Sequence, residues 1–495
     1  MIRFFYILGV LGKYAALYFL IKLNLYKNPR HKVLRNFFEE AGGTFIKFGQ
    51  LLALRVDVLP SEYALEMLDL LDNVKPFPYH DVTEIFLQDL GATPEKVFKD
   101  FQKEPFASAS FGQVHAAKLE DGTILAVKIL RPGIEEKVAI DFFIIDLLAF
   151  FGDIFFKMQA LPWKEFASEF KEWTRKELDY QTEAANAERM YQNHRTNTRI
   201  VIPKTFARFS TRRILVQEYI DGFPLSRILR GFKDGRINAE QLLELGVDIK
   251  EAPKTLTQEI LRQYFFDGFM HADLHPGNII LLQNGKIGLV DFGIMAEWIP
   301  VDQKSFLRFM KYVGEYNFKE AVYYFADVVA DDLKQMIQSA FPASIDQEQI
   351  DDFLRIISNH FSDAVEKTVR ATVQDLKEMK TDYTMLLLKI LRLTENYKIK
   401  FPKEMAIFIK ALSTLGLVAK EMNYEYRLQL EIKKFFEAHP EDSFPINHAR
   451  PPYTRINRER ALERLNNWLA YLMEVDPSIY KLVNSYITQY NLVDK

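Results

Sequence analysis

The stretch His271-Ala272-Asp273-Leu274-His275-Pro276-Gly277-Asn278, followed by Asp291-Phe292-Gly293, decides how this chain is read. Asp273 and Asn278 stand five residues apart on a loop that enters a strand. That spacing sets a carboxylate able to orient or deprotonate an attacking group beside an amide oxygen able to hold a divalent cation. Asp291 follows a second short strand and offers another hard oxygen ligand. Upstream, Ala126-Val127-Lys128-Ile129 projects an ammonium from a strand, within reach of phosphate oxygens. Singly, each is commonplace: an Asp in a turn makes Asx hydrogen bonds, and a strand lysine is usually solvated. In this order, with hairpin before helix before loop before Asp-Phe-Gly, they ask for one ligand, a nucleotide with its metal.

The same order and spacing make up the protein-kinase signature set. In that reading Asp273 is the catalytic base or orienter, Asn278 and Asp291 hold Mg²⁺, and Lys128 holds the α- and β-phosphates of ATP or ADP. A lysine in that role is held by a helical glutamate, and the run from Glu177 through Asp179 and Glu183 to Glu188 supplies candidates, of which Glu183 is expected to pair with Lys128. The adenine is expected in the crease between lobes, against Ala126 and the linker Glu218-Tyr219-Ile220, where backbone groups can read the ring. The loop ahead of the lysine strand contributes Ala107, Ser108, Ala109, Ser110, Gly112 and Gln113. It has one glycine where ordinary protein kinases have three, and its Cβ atoms leave the backbone less free to wrap over phosphates. No Ala-Pro-Glu segment for a peptide substrate follows Asp-Phe-Gly. A zinc or iron site at His271, Asp273 and His275 is the rival, and it leaves Asn278 and Asp291 unexplained.

The 495 residues exceed what one hydrophobic core supports, so more than one lobe is expected. With 41 Phe and 23 Tyr the chain has ample apolar area to bury, which excludes disorder as its dominant state. A net charge of −3 speaks against a nucleic-acid partner. The absence of cysteine excludes disulfides, thiolate nucleophiles and Cys-ligated metal centres. Charge is uneven: residues 1–35 carry seven Lys or Arg and no Asp or Glu. The same stretch holds the apolar run Phe4 to Ile21, broken only by Lys13, borderline for a span and well suited to a membrane-contacting helix. Helical spacing continues from about 31 to Pro76, interrupted at Gly42-Gly43. Residues 105–135 read as a hairpin turning at Asp121-Gly122, and the residues beyond about 302 read as mostly helical.

Further motifs resemble the UbiB family of atypical kinase-like proteins. Gly43-Thr-Phe-Ile-Lys47-Phe-Gly49-Gln50 is similar to its Lys-x-Gly-Gln signature, and Glu177-Leu-Asp179 to its Glu-x-Asp signature. Ala107-Ser-Ala109-Ser110 with Gly112-Gln113 is similar to its alanine-rich loop, with Ser108 where the family more often has Ala. Phe401 to Met422 resembles a late helix of its domain. The resemblance implies an α+β, bilobal protein-kinase-like fold with an N-terminal helical extension carrying Lys-x-Gly-Gln and a mostly helical C-lobe. The expected division is a membrane-contacting segment at 1–30, the extension at 31–100, the N-lobe at 101–222 and the C-lobe at 223–495. It implies Lys47 and Gln50 folded back on the Glu177 and Asp179 region, Lys47 acting with Asp273, Lys128 and Glu183 in the catalytic set.

The function implied is an Mg²⁺-dependent ATPase or small-molecule kinase supporting isoprenoid-quinone synthesis or lipid homeostasis. Its expected partners are an adenine nucleotide, a membrane lipid or quinone precursor, and a quinone-biosynthesis complex. Its expected place is the cytoplasmic face of a bacterial inner membrane or an organelle membrane. A nucleotide-switched lipid-binding scaffold and an ordinary protein kinase are the alternatives.

Overall fold

The computed structural model describes residues 2–23, 30–53, 75–155, 163–297, 303–317, scattered positions between 320 and 367, 403–445 and 457–489. The chain divides into two compact units, Met1–Ala252 with Asp273–Met295, and Pro253–Ala272 with Ala296–Lys495. The fold is α+β and kinase-like.

The first unit is built on a five-stranded antiparallel sheet. Its members are β1 (Asp100–Phe101), β2 (Ala107–Ser108), β3 (Gly112–Lys118), β4 (Ile124–Leu130) and, after the short strand β5 (Ile200–Val201), β6 (Ile214–Glu218). Their order is β1-β3-β4-β6, with β2 beside β3. β4 shows why the sheet forms and what it presents. Leu125, Val127 and Ile129 are fully buried on one face, so the strand's two-residue period turns Ala126 and Lys128 to the other. The Leu125 face packs with Phe77, Phe86, Phe98 and Val216. The hairpin turn is one residue longer than the Asp-Gly reading. The Leu119 amide donates to the Thr123 carbonyl (3.0 Å), leaving Glu120, Asp121 and Gly122 in the loop. Gly122 takes the positive φ and the Asp121 carboxylate accepts from the Thr123 amide.

Helices α1 (Ile2–Lys22), α2 (Arg30–Ala41) and α3 (Thr44–Ala53) precede the sheet, and α4 (Tyr79–Leu90) and the single turn α5 (Pro94–Val97) lead into it. Gly42 and Gly43 separate α2 from α3 with φ of +66° and +54°, as the sequence break suggests. Residues 54–74, where the helical reading continued, lie outside the described residues. After β4 come α6 (Ile134–Phe155), α7 (Trp163–Glu177) and α8 (Tyr180–Asn193). α1, α2, α3, α6 and α7 share one core that includes Ile7, Phe38, Phe45, Ile145 and Phe166. Phe48 of α3 makes edge contacts with Phe166 (5.1 Å) and Phe170 (5.0 Å) of α7.

A second sheet of this unit has the order β5-β10-β9-β7, with β7 (Phe223–Pro224), β9 (Ile279–Leu281) and β10 (Ile287–Leu289). Helices α9 (Leu225–Lys233) and α10 (Ala239–Glu244) follow β7.

The second unit begins with α11 (Ala252–Arg262), whose last turns loosen into a π-turn at Gln263–Asp267. A Gly268 with φ of +60° stops the helix there, and β8 (Phe269–His271) pairs with β11 (Met295–Glu297) in a two-stranded ribbon where the sequence reads as continued helix. α12 (Gln303–Gly314), α13 (Lys403–Met422) and α14 (Leu428–Ala438) surround an aromatic core in which Tyr264 stacks on Phe408 at 3.9 Å. α15 (Arg458–Val475) and α16 (Pro477–Gln489) pack on each other.

Gly112 opens β3 under close constraint. A Cβ there would meet the Ile129 carbonyl oxygen at 2.5 Å and the Tyr180 hydroxyl at 2.7 Å. Gly112→Ala should therefore cost about 1–3 kcal/mol, read as a lower midpoint in urea unfolding with an unchanged slope.

Candidate active site

Lys128 lies at the centre of a charged cluster within the first unit. Its Nζ donates to both Glu183 oxygens (2.9 and 3.0 Å) and to Asp291 Oδ2 (3.0 Å). The ammonium also sits 5.3 Å over the Tyr180 ring. α8 delivers Glu183 because Asp179 caps it, accepting from the Gln181 amide (3.0 Å). From that cap Tyr180, Glu183, Ala187 and Met190 fall on one buried stripe. Asn186, one turn beyond Glu183, donates to the Phe292 carbonyl (2.8 Å) and ties α8 to the Asp-Phe-Gly segment. Asp291 holds a positive φ of 64°, which a residue other than glycine adopts at a cost.

Asp273 and Asn278 meet directly. Asn278 Nδ2 donates to the Asp273 main-chain carbonyl (3.0 Å) and to its carboxylate (3.1 Å), which turns the amide oxygen away from them. His275 Nδ1 accepts from the Gly277 amide (3.1 Å), forming the bend between the two. Burial is the largest influence on His275 and lowers its pKa. The Asp273 and Asp291 carboxylates oppose that effect and the Lys47 ammonium adds to it. His271 is fully buried, and its backbone amide donates to Gln263 Oε1 (3.0 Å). Among the described residues His271, Asp273 and His275 do not gather ligand atoms into a metal cluster.

Lys47 reaches a second carboxylate. Its Nζ lies 3.3 Å from Glu177 Oε2 and 5.9 Å over the Phe111 ring of the loop. Of the two Glu-x-Asp carboxylates, Glu177 therefore meets Lys47, and Asp179 is the cap of α8. Burial raises the Glu177 pKa above the ordinary carboxylate range, Lys47 acts against it, and Asp291 and Asp273 add to it. Gly49 is buried on α3, and the Gln50 side chain lies outside the described residues.

The alanine-rich loop is closed by the Ala109 amide donating to the Gly112 carbonyl (2.8 Å). The Ser108 hydroxyl is buried with no hydrogen-bond partner among the described residues. Ser110 donates a long 3.4 Å bond to the Gly43 carbonyl. Gln113, expected at the nucleotide, is engaged elsewhere. It is 1% exposed, exchanges hydrogen bonds with the Phe77 main chain (2.8 and 3.3 Å) and meets His115 Nε2 at 2.9 Å. In the linker the Glu218 amide donates to the Lys204 carbonyl and the Tyr219 amide to the Ile124 carbonyl, both at 2.9 Å. Two participants escape a reading of the sequence: Tyr180 carries no motif signal, and Asn186 is marked only by its place one helical turn after Glu183.

A strand lysine held by a helical glutamate, with an Asp-to-Asn loop ahead of Asp-Phe-Gly, defines a kinase-like protein. The chain belongs to the ABC1 atypical kinase-like domain family, which matches residues 69–325 and bears out the UbiB resemblance. It is similar to an uncharacterized protein in the hydrogenase 1 5′ region of Clostridium pasteurianum, 31% identical over 80% of this chain and 68% of that protein. It is similar to the probable protein kinase UbiB of Marinobacter nauticus, 36% identical over 57% of this chain and 50% of that one. The chloroplastic protein ACTIVITY OF BC1 COMPLEX KINASE 3 of Arabidopsis thaliana is 32% identical over 59% of this chain and 40% of its own length. The match thus spans half or less of the latter two relatives.

Two measurements test this geometry. Burial is the largest influence on Glu183, and with the Asp291 carboxylate beside the same ammonium it pushes the carboxyl up to about 7, while Lys128 works the other way. Folded Glu183 thus binds a proton that the unfolded chain releases near 4.5, so its contribution to stability is lost as pH rises from about 4.5 to about 7. In urea titrations over that range, Glu183→Gln should gain stability relative to wild type with rising pH. A pH-independent difference contradicts the assignment. Lys47→Met leaves Glu177 without this counter-charge and should cost about 2 kcal/mol. Adding Glu177→Gln should recover most of the loss, and purely additive losses would separate the two residues.

Proposed function

We propose that this chain binds Mg²⁺ with ATP or ADP in its first unit and acts as an ATPase or small-molecule kinase. The observation that carries the reading is Lys128 held between Glu183 and Asp291, next to an Asn278 amide turned onto Asp273. The donor set fits the metal: the Asp291 carboxylate and the Asn278 amide oxygen are hard oxygen ligands of the kind Mg²⁺ takes. The Ser108 hydroxyl, buried without a partner among the described residues, is a further polar group for a ligand to satisfy. In this proposal Asp291 and Asn278 hold the metal, which when bound neutralises phosphate charge. Lys128 binds the phosphates, and Glu183 keeps the ammonium protonated and aimed. Asp273 orients the attacking hydroxyl or water and takes up its proton. Ala107, Ser108, Ala109, Ser110 and Gly112 cover the phosphates, and the Ile220 amide with Ala126 faces the adenine.

The physiological setting is proposed on the family relationship: support of isoprenoid-quinone synthesis or lipid homeostasis, at the cytoplasmic face of a bacterial inner membrane or an organelle membrane. A lipid or quinone precursor and a quinone-biosynthesis complex are the proposed partners. The apolar helix over Arg3–Ile21, of mean hydropathy 1.8, supports membrane contact by length and composition. A second reading, a nucleotide-switched lipid-binding scaffold, is favoured by one contact: the Lys47–Glu177 pair links the α3 extension to the cluster that would sense nucleotide. An ordinary protein kinase fits less well, given the single glycine of the loop.

Asp291→Asn keeps the side-chain volume and leaves the Lys128–Glu183 pair intact. It should abolish Mg²⁺-dependent turnover of ATP, measured as phosphate release with and without anionic vesicles and a quinone-precursor-like phenol. Unchanged turnover would remove Asp291 from the metal. Wild-type nucleotide binding without turnover under every condition would favour the scaffold.

A further inference from the structure

α1 is not a helix hanging off the fold. Arg3 Nε and Nη2 donate to the two Asp141 carboxylate oxygens at 2.9 and 3.0 Å, and Asp141 is 1% exposed on α6. Lys13 (2.6 Å) and the Tyr14 hydroxyl (2.8 Å) both donate to Glu40 Oε2 on α2. Ile7 and Val10 are buried in the helical core of the first unit. One face of α1 is thus fastened by ion pairs and apolar contact, and a helix that left the unit to cross a bilayer would strand the buried Asp141 charge.

The opposite face of α1 is apolar and open: Phe5 is 65% and Phe19 60% exposed, with Leu8 and Leu20 beside them. α6 repeats the pattern. Ile144, Ile145 and Ala149 face the core, yet Phe143 is 60% and Phe151 46% exposed, with Leu147 and Phe150 between them. α6 thus buries one side in the core and leaves a second apolar stripe outside it, beside Asp146, which pairs with Lys171. The two open faces are continuous, because the Phe4 ring lies 6.2 Å from Phe143 and 5.7 Å from Phe5. Lys164 stands 4.9 Å over the Phe150 ring. Arg3, Lys13 and Arg35 are paired with Asp141, Glu40 and Glu39, and Lys32 is exposed, in a stretch (residues 1–35) whose sequence holds seven basic and no acidic residues. Apolar side chains with a basic surround complement an anionic bilayer surface.

We propose that α1 and α6 together form one wedge that inserts into the interface of an anionic bilayer while α1 stays docked on the first unit. This rests on the membrane part of the reading above and deepens it. It makes α6 a second lipid-contacting element and α1 an in-plane helix instead of a span. The insertion face is the back of the core that carries α3 and α7, and hence Lys47 and Glu177.

The chain has no cysteine, so single thiols can be introduced on a clean background. Phe19→Cys, Phe143→Cys, Phe151→Cys and the control Tyr424→Cys, the last 79% exposed, would each carry an environment-sensitive fluorophore in the full-length protein. On adding phosphatidylglycerol–phosphatidylcholine vesicles, the wedge predicts blue-shifted emission at 19, 143 and 151 and none at 424. Phe143→Asp with Phe151→Asp should weaken vesicle binding by at least about tenfold, read beside a melting curve that checks each variant remains folded. Binding with a shift at 19 alone would overturn the wedge and leave membrane attachment through α1 standing. No vesicle binding at all would overturn both. A concentration-dependent shift at 143 and 151 without vesicles would assign the face to a second protein chain and overturn the lipid proposal.

Discussion

An ammonium drawn partly out of water needs counter-charge close at hand, and the half-buried Lys128 ammonium orders much of the first unit around that need. Strand alternation turns Lys128 away from the Leu125, Val127 and Ile129 face. The counter-charge comes from two distant parts of the chain, Glu183 on α8 and Asp291 at the end of the segment after β10. Each has its own support: Asp179 starts α8, and Asn186 holds the Phe292 carbonyl. Burial works to lower the Lys128 pKa, but the Asp291 and Glu183 carboxylates outweigh it and hold the pKa well above the ordinary lysine range. Asp291, beside the same ammonium, offers a hard oxygen ligand of the kind a divalent cation takes.

Lys47 and Glu177 apply the same physics a second time, with Phe111 of the loop beneath the ammonium. The α3 extension is therefore coupled to the site by charge as well as by the Phe48 contacts with α7. Glu177 faces the fields of Asp273 and Asp291, so the extension is electrostatically linked to the residues proposed for chemistry. α1, α2 and α6 back this arrangement through a shared core. The outer side of that core carries the exposed Phe residues of α1 and α6, so the same layer has Lys47 on one side and an open apolar face on the other.

Much of the site was legible in the sequence because its signals are local. The Asp273-to-Asn278 spacing closes a short bend, and a five-residue interval leaves few ways for the two side chains to avoid each other. Val127 and Ile129 mark β4, and the two-residue period then assigns Lys128 its face. Gly42-Gly43 announced the break between α2 and α3, since only a glycine pair adopts consecutive positive φ cheaply. Less visible were choices between equivalent polar groups. Gln113 reads as a loop residue, yet its amide matches the Phe77 main chain, a partner 36 residues away. Glu177 and Asp179 read as equally open to Lys47, yet Asp179 serves as a helix cap.

The sequence by itself determined the order of the chemical groups and the periodicity that places each on a strand, helix or loop. Those follow from local backbone geometry and from the alternation of apolar side chains. Tertiary structure alone decided that Glu177 and not Asp179 meets Lys47, and that Tyr180 and Asn186 join the Lys128–Glu183 pair that the sequence already suggested. It also decided that the apolar helix at residues 2–22 is pinned through Arg3 to a buried Asp141 while its far side stays open beside α6. The physical reason is common to all of these. Pairing of partly buried charges depends on distances of a few ångströms between segments far apart in the chain, and composition and spacing carry no record of such distances.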